Sequence, residues 1–285
     1  MASVCFFWGT TYLGIRIALE SFAPAVLVSY RFLLSGAIML FAAWKLGYHL
    51  PRGKELLWTC VNGFLILGVG NGCLTWSEQL IPSSLAALFI TVSPFWLVGM
   101  ESLIPGGDKL TKATVLGMLA GFLGASILFV PDLIERGMSG NAWKGFLILQ
   151  LAGCSWSFGS IVQKRYPTKA PPIVGGAVQQ LAVGLLFLPP ALLEPRATHW
   201  SATSIGAILY LVTFGSIVGY SSYLYALDKL PVAFVSLYTY VNPVVAAALG
   251  WLVYREPFGA KEMLAMTIIF LGVAIVKRFS PKKSR

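Results

Sequence analysis

"LPVAFVSLYTYVNP" (residues 230–243) places a proline, eleven further residues and a second proline inside apolar sequence, and "IPSSLAALFITVSP" (residues 81–94) does the same. In an apolar helix the second proline removes a backbone hydrogen bond, and a neighbouring asparagine must find a partner that hydrocarbon cannot supply. Such a sequence is tolerated where the freed carbonyl lines a wet cavity or meets protein donors. The two motifs stand 149 residues apart. A shift of 148 pairs Trp8 with Trp156, Arg16 with Lys164, Arg31 with Gln179, Gly36 with Gly184, Asp108 with Glu256 and Gly124 with Gly272. Several rare residues on nearly one offset indicate an internal duplication.

Composition places both copies in a bilayer. The chain of 285 residues is 57% hydrophobic and only 11% charged, with a mean hydropathy of +0.76, far from the balance of a water-soluble domain. Ten apolar runs of near-spanning length are read at 2–19, 24–44, 56–77, 83–104, 113–131, 142–163, 172–193, 203–227, 232–254 and 261–279. The expected fold is an all-α integral membrane protein of ten transmembrane helices. Its two five-helix repeats are residues 1–136 and 137–285, forming one transport domain. Five is odd, so the second copy enters the membrane upside down. The first run has no Lys or Arg before it and is read as a retained helix rather than a cleaved leader.

The net charge of +10 is read as a topology signal. With the N-terminus cytoplasmic, fourteen Lys and Arg residues fall on the inner turns and tail and five on the outer side, a positive-inside bias that puts both termini in the cytoplasm. The basic tail then meets anionic lipid. The connections leave no room for a soluble catalytic domain, and nucleic acid is not needed to explain the charge. Cys5, Cys60, Cys73 and Cys154 form no CxxC pair and are read as small packing residues, while His49 and His199 are expected on opposite sides of the membrane. No metal site, cofactor or obligatory protein partner is implied, and a monomer suffices. A phosphate-binding loop for ATP-driven pumping is missing from the sequence.

The stretches "FWGTTYLGIRIAL" (7–19), "SYRFLLSGAIML" (29–40), "GNGCLTWSEQLIPSSLAALFITVSPFWLV" (70–98) and "LYALDKLPVAFVSLYTYVNPVVAAALGWLVYREP" (224–257), in this order, resemble the EamA family of the drug/metabolite transporter superfamily. The resemblance covers essentially the whole chain. It implies a secondary carrier of the bacterial inner membrane, most often an exporter of amino acids or other small metabolites. Its cavity would lie among helices 1, 3 and 4 and their mates 6, 8 and 9. Readings outside transport are a non-transporting subunit or receptor, for which inverted halves have no use, and a membrane-embedded enzyme, which would want clustered His, Asp or Glu at one face. Import and exchange stay open within transport.

Candidate substrate-binding residues follow from polar and aromatic side chains at membrane depth. In the ninth span Tyr238 and Asn242 share a helix face ahead of Pro243, and Ser93 with Pro94 is expected to repeat that arrangement in the fourth. Each pair either frames the substrate site or makes a packing kink. Arg31 lies about 10 Å inside the second helix by helical rise, placed to meet a carboxylate, to serve structure or to snorkel; its mate is Gln179. Trp8, Thr11, Tyr12, Asn71, Thr75 and Trp76, with Trp156, Tyr220 and Tyr223 in the second copy, offer rings for contact and hydrogen bonds for orientation. Trp44, Trp58, Trp143, Trp200 and Trp251 are read as interfacial belts, and Arg16 and Lys164 as snorkelling ends. Glu101 is the acid well inside a span, expected to pair near Lys109 and Lys112; Glu20, Glu78, Asp228 and Glu256 fall at turns. No deeply buried carboxylate is therefore expected to drive transport.

Overall fold

The computed structural model describes residues 1–81, 83–136, 140–166, 168–194, 198, 200–254 and 259–279. Its helices are α1 (Ala2–Leu19), α2 (Pro24–Lys45), α3 (Lys54–Ser77), α4 (Ser83–Ile90), α5 (Ser93–Leu103), α6 (Lys112–Arg136), α7 (Gly140–Arg165), α8 (Pro172–Leu186), α9 (Leu188–Leu192), α10 (Ala202–Lys229), α11 (Val232–Ser236), α12 (Tyr238–Tyr254) and α13 (Ala260–Phe279). No strand occurs among the described residues. Among the described residues six helical stretches, α1, α2, α3, Leu85–Leu103, Asn141–Arg165 and α10, are long and apolar enough to cross a membrane. Shorter apolar helices cover Lys112–Ile127, Pro172–Leu186 and Val232–Val245.

Local sequence sets the helix ends. Pro24 and Pro172 open α2 and α8 in the first turn, where a missing N–H costs nothing. Ser201 and Ser204 exchange side-chain and backbone hydrogen bonds of 3.1 and 2.9 Å at the start of α10, a reciprocal cap. Gly47, with φ of 72°, ends α2 by letting Tyr48 N donate to Ala43 O at 3.0 Å.

The two proline motifs differ in structure, which corrects the expectation that one repeats the other. The chain breaks at Thr91 and Val92, so Pro94 sits in the first turn of α5, where proline is harmless. In the second copy the break falls earlier, at Leu237, and α12 winds on through Pro243. The seventh expected span is also broken, at Phe187, just ahead of the Pro189–Pro190 pair in α9.

The most extensive helix contacts are α6 with α13 and α2 with α8, and glycines permit both. A side chain at Gly36 would strike the backbone of Leu181, and one at Gly184 would strike the backbone of Leu33. Leu181 and Leu33 are themselves 148 apart, so each contact is the other with its partners exchanged. In the same way Gly124 packs on Ala265 and Ile269, while Gly272 packs on Gly117 and Gly121. The GxxxG pair at 117 and 121 is thus occupied within the chain.

Both α3 and α10 widen midway. Phe64–Asn71 and Leu211–Tyr220 wind with i→i−5 hydrogen bonds, an insertion-like geometry common at functional sites. Buried hydrophobic residues gather on either side of these stretches, around Ile66, Leu67, Tyr220 and Leu224 on one side and Ile15, Leu27, Ile208 and Leu211 on the other.

Candidate functional site

Between the two widened stretches lies a cavity of about 70 Å³, walled by α1, α2, α3, α4, α5, α7, α10 and α12. Aromatic rings form one side. Trp8 stands edge to face against Trp156 and Tyr238, with centroids 5.4 and 5.0 Å apart, and tilted on Tyr223 at 5.2 Å. The rings are held by their polar ends: Trp8 Nε1 donates to Gly215 O at 2.9 Å and Trp156 Nε1 to Tyr223 Oη at 3.0 Å. Tyr220 Oη donates to Gln179 Oε1 at 2.6 Å, and Gln179 Nε2 donates to Gln163 Oε1 at 2.7 Å. Fixed hydroxyls and indoles of this kind make a preorganised wall.

Arg31 supplies the charge. It is buried at 5% exposure, its Nε donates to Ser216 Oγ at 2.8 Å, and its guanidinium lies 5.1 Å from the centre of the Phe32 ring. Among the described residues that line the cavity it is the one charged side chain. Gly215 is what admits it: a side chain there would meet the guanidinium and Thr11. Asn71 presents a buried Oδ1 without a hydrogen-bond partner among the described residues. Asn242, with its amide turned to satisfy both neighbours, donates to Tyr238 O at 2.9 Å and Cys5 O at 3.1 Å, tying α12 to α1.

Trp8, Thr11, Tyr12, Arg31, Asn71, Ser93, Trp156, Tyr220, Tyr238 and Asn242 come together on the cavity. The other sequence-derived candidates do not line it. Gln179 and Tyr223 stand behind the wall and brace it. Thr75 is buried and bonds back to Asn71 O at 2.9 Å, Trp76 is 41% exposed, and Pro94 and Pro243 sit behind Ser93 and Asn242. Sequence reasoning missed the small and aliphatic lining, including Gly70, Ala152, Gly153 and Ser216, whose residue types carry no signal of their own.

It also missed Glu78. This acid follows α3 at a turn, as expected, yet it is 0% exposed, with neither carboxylate oxygen hydrogen-bonded among the described residues. The turn keeps helical winding, Glu78 N donating to Leu74 O at 3.2 Å, while Arg16 Nη1 clamps the Glu78 carbonyl at 2.9 Å. The spacing held the clue: Asn71, Leu74 and Glu78 are three and four apart, one helix face. At the opposite end, Glu101 pairs with Arg165 at 3.0 Å rather than near Lys109 or Lys112, because α7 runs alongside α5. Lys164 does not reach for headgroups; its Nζ donates to Leu230 O at 2.7 Å. Trp44, Trp58, Trp143 and Trp200 are each more than half exposed. His199, Trp251 and Glu256 lie outside the residues whose side chains are described.

The sequence profile of the EamA-like transporter family matches residues 1–130 and again residues 143–278. The chain belongs to this family. As an EamA-like transporter it is 34% identical over 272 residues to "Uncharacterized inner membrane transporter YedA" of Escherichia coli K12, covering 94% of this chain and 86% of that protein. It is 24% identical over 281 residues to the "Probable terminal-alkyne amino-acid exporter" of Streptantibioticus cattleyicolor, covering 95% and 90% of the two chains. A solved crystal structure superposes with a TM-score of 0.84 at 20% identity, covering 98% of this transporter and 95% of that chain, which shows a shared fold.

Proposed function

We propose that this EamA-like transporter is a secondary carrier that exports small amphipathic metabolites, amino acids or related compounds, across the bacterial inner membrane by alternating access. Residues 1–136 and 137–285 act as two five-helix halves of opposite orientation, ten membrane helices in all, with both termini cytoplasmic. The observation that carries this reading is the meeting of Trp8 with Trp156 in the cavity wall, 148 residues apart and centroids 5.4 Å apart. A contact between equivalent positions lies at the axis that relates two copies, where inverted-repeat carriers hold their substrate.

Other observations support it. The exchanged contacts of Gly36 and Gly184, and of Gly124 and Gly272, are what such an axis generates. The family profile matches twice. A wall of indole and phenol rings with one guanidinium suits a substrate that has an apolar body and an anionic end. The cavity of about 70 Å³ is smaller than the roughly 300–1,000 Å³ of a typical ligand site, so loading requires the walls to part.

The test is reconstitution of the purified protein in proteoliposomes with a panel of labelled amino acids and metabolites. Wild type is expected to move at least one of them, and Arg31→Ala and Asn242→Ala to slow it. Normal transport by both variants would remove the site assignment.

A further inference from the structure

A carboxylate shut away from water with no donor on either oxygen is expensive as an anion and far cheaper as an acid. Glu78 is in that position. Among the described residues, the charges that reach it are Arg16, on α1, and Arg31, on α2; its own field reaches Tyr12, also on α1. Arg16 spends one donor on the Glu78 backbone carbonyl rather than on the carboxylate. Arg31 turns its Nε away to Ser216 and lines the cavity. On α7, which also packs against this end of α3, Lys144 is exposed. Of the two cations that reach the acid, Arg31 is the one it shares with the cavity.

We propose that Glu78 is a proton-binding site that exchanges ion partners with the substrate. With an anion on Arg31, the guanidinium is neutralised from the cavity side, and Glu78, left with Arg16, which is hydrogen-bonded to its backbone carbonyl and not to its carboxylate, takes one proton from water as an un-ionised acid. When the anion leaves, Glu78 releases that proton and shares the field of Arg31 again. One proton is bound per carboxylate bound; no bond within the substrate changes. The coupling rests on the reading of the cavity as the substrate site, whereas the proton site itself does not.

Two measurements on the full chain in lipid nanodiscs separate these. Infrared spectroscopy of the substrate-free protein through a descending pH titration is expected to show the carbonyl band of a buried carboxyl group appear as the proton binds, shifted in D2O and gone in Glu78→Gln. The absence of any band that depends on Glu78 overturns the proton site. Calorimetry with N-acetyl-L-tryptophan in two buffers of different ionisation heat then reads protons taken up on binding. Wild type is expected to take up about one, Glu78→Gln to bind with none, and Glu78→Asp to restore uptake; the neutral amide of the same compound is expected to take up none. Equal heats in both buffers for wild type overturn the exchange. Failure of the carboxylate to bind overturns the cavity reading and the exchange with it, while the infrared band still decides where the proton sits.

Discussion

Asn242 reaches from α12 to the backbone of Cys5 in α1, its amide donating at 3.1 Å across the cavity wall while also donating to Tyr238 O at 2.9 Å. That answers why an asparagine is tolerated in apolar sequence. Removing it in Asn242→Ala deletes two buried side-chain hydrogen bonds, and we expect destabilisation of about 1–3 kcal/mol. Asn242→Asp is expected to be worse than alanine, because an acceptor then faces two acceptors. Thermal unfolding in detergent, followed by tryptophan fluorescence, ranks the three proteins; an aspartate variant as stable as wild type would refute the bridge.

The tryptophans divide by burial. Trp8 is 9% exposed and packed against the rings of Trp156, Tyr223 and Tyr238, whereas Trp76 is 41% exposed. We expect Trp8→Ala to lose about 3–5 kcal/mol and Trp76→Ala to stay within about 0.5 kcal/mol of wild type. Equal losses would mean that Trp76 has a hidden partner.

Close helix approach makes Gly36 and Gly184 equivalent. Gly36→Leu and Gly184→Leu are each expected to cost about 1–3 kcal/mol through overpacking, and by similar amounts because the two contacts mirror each other. Melting curves that separate widely for the two variants would count against the mirrored geometry.

Glu101 and Arg165 form an ion pair at 3.0 Å with the arginine side chain still 24% exposed. Water keeps access to the cation, so Glu101→Gln is expected to cost only about 1 kcal/mol. Transport in proteoliposomes is expected to persist in this variant. Its abolition in well-folded protein would make Glu101 a coupling group.

The all-helical, membrane-spanning class was legible in the sequence because apolar length is a strong, additive signal. The positions of Trp8, Arg31, Tyr220, Tyr238 and Asn242 were legible because rings and amides at membrane depth need a reason. What escaped was tertiary. Pro94 and Pro243 look alike in sequence, yet one opens a helix and the other lies within one, since the chain breaks upstream of each at a different distance. Glu78 follows a helix end, where an acid is ordinarily hydrated; here the packing of α2 and α7 against that end, with Arg16 of α1 on the Glu78 carbonyl, accompanies its burial.

The wide turns at Phe64–Asn71 and Leu211–Tyr220 give each half a surplus residue stored in its winding. Passing that surplus along the helix toward either end swivels the intervening side chains by about 100° each, one residue's step around an α-helix. Asn71 in the first stretch and Ser216 and Tyr220 in the second can so be turned toward or away from the cavity while the helix axis stays put. Residues that hold Arg31 and the rings therefore sit on the segments whose winding departs from the α-helix.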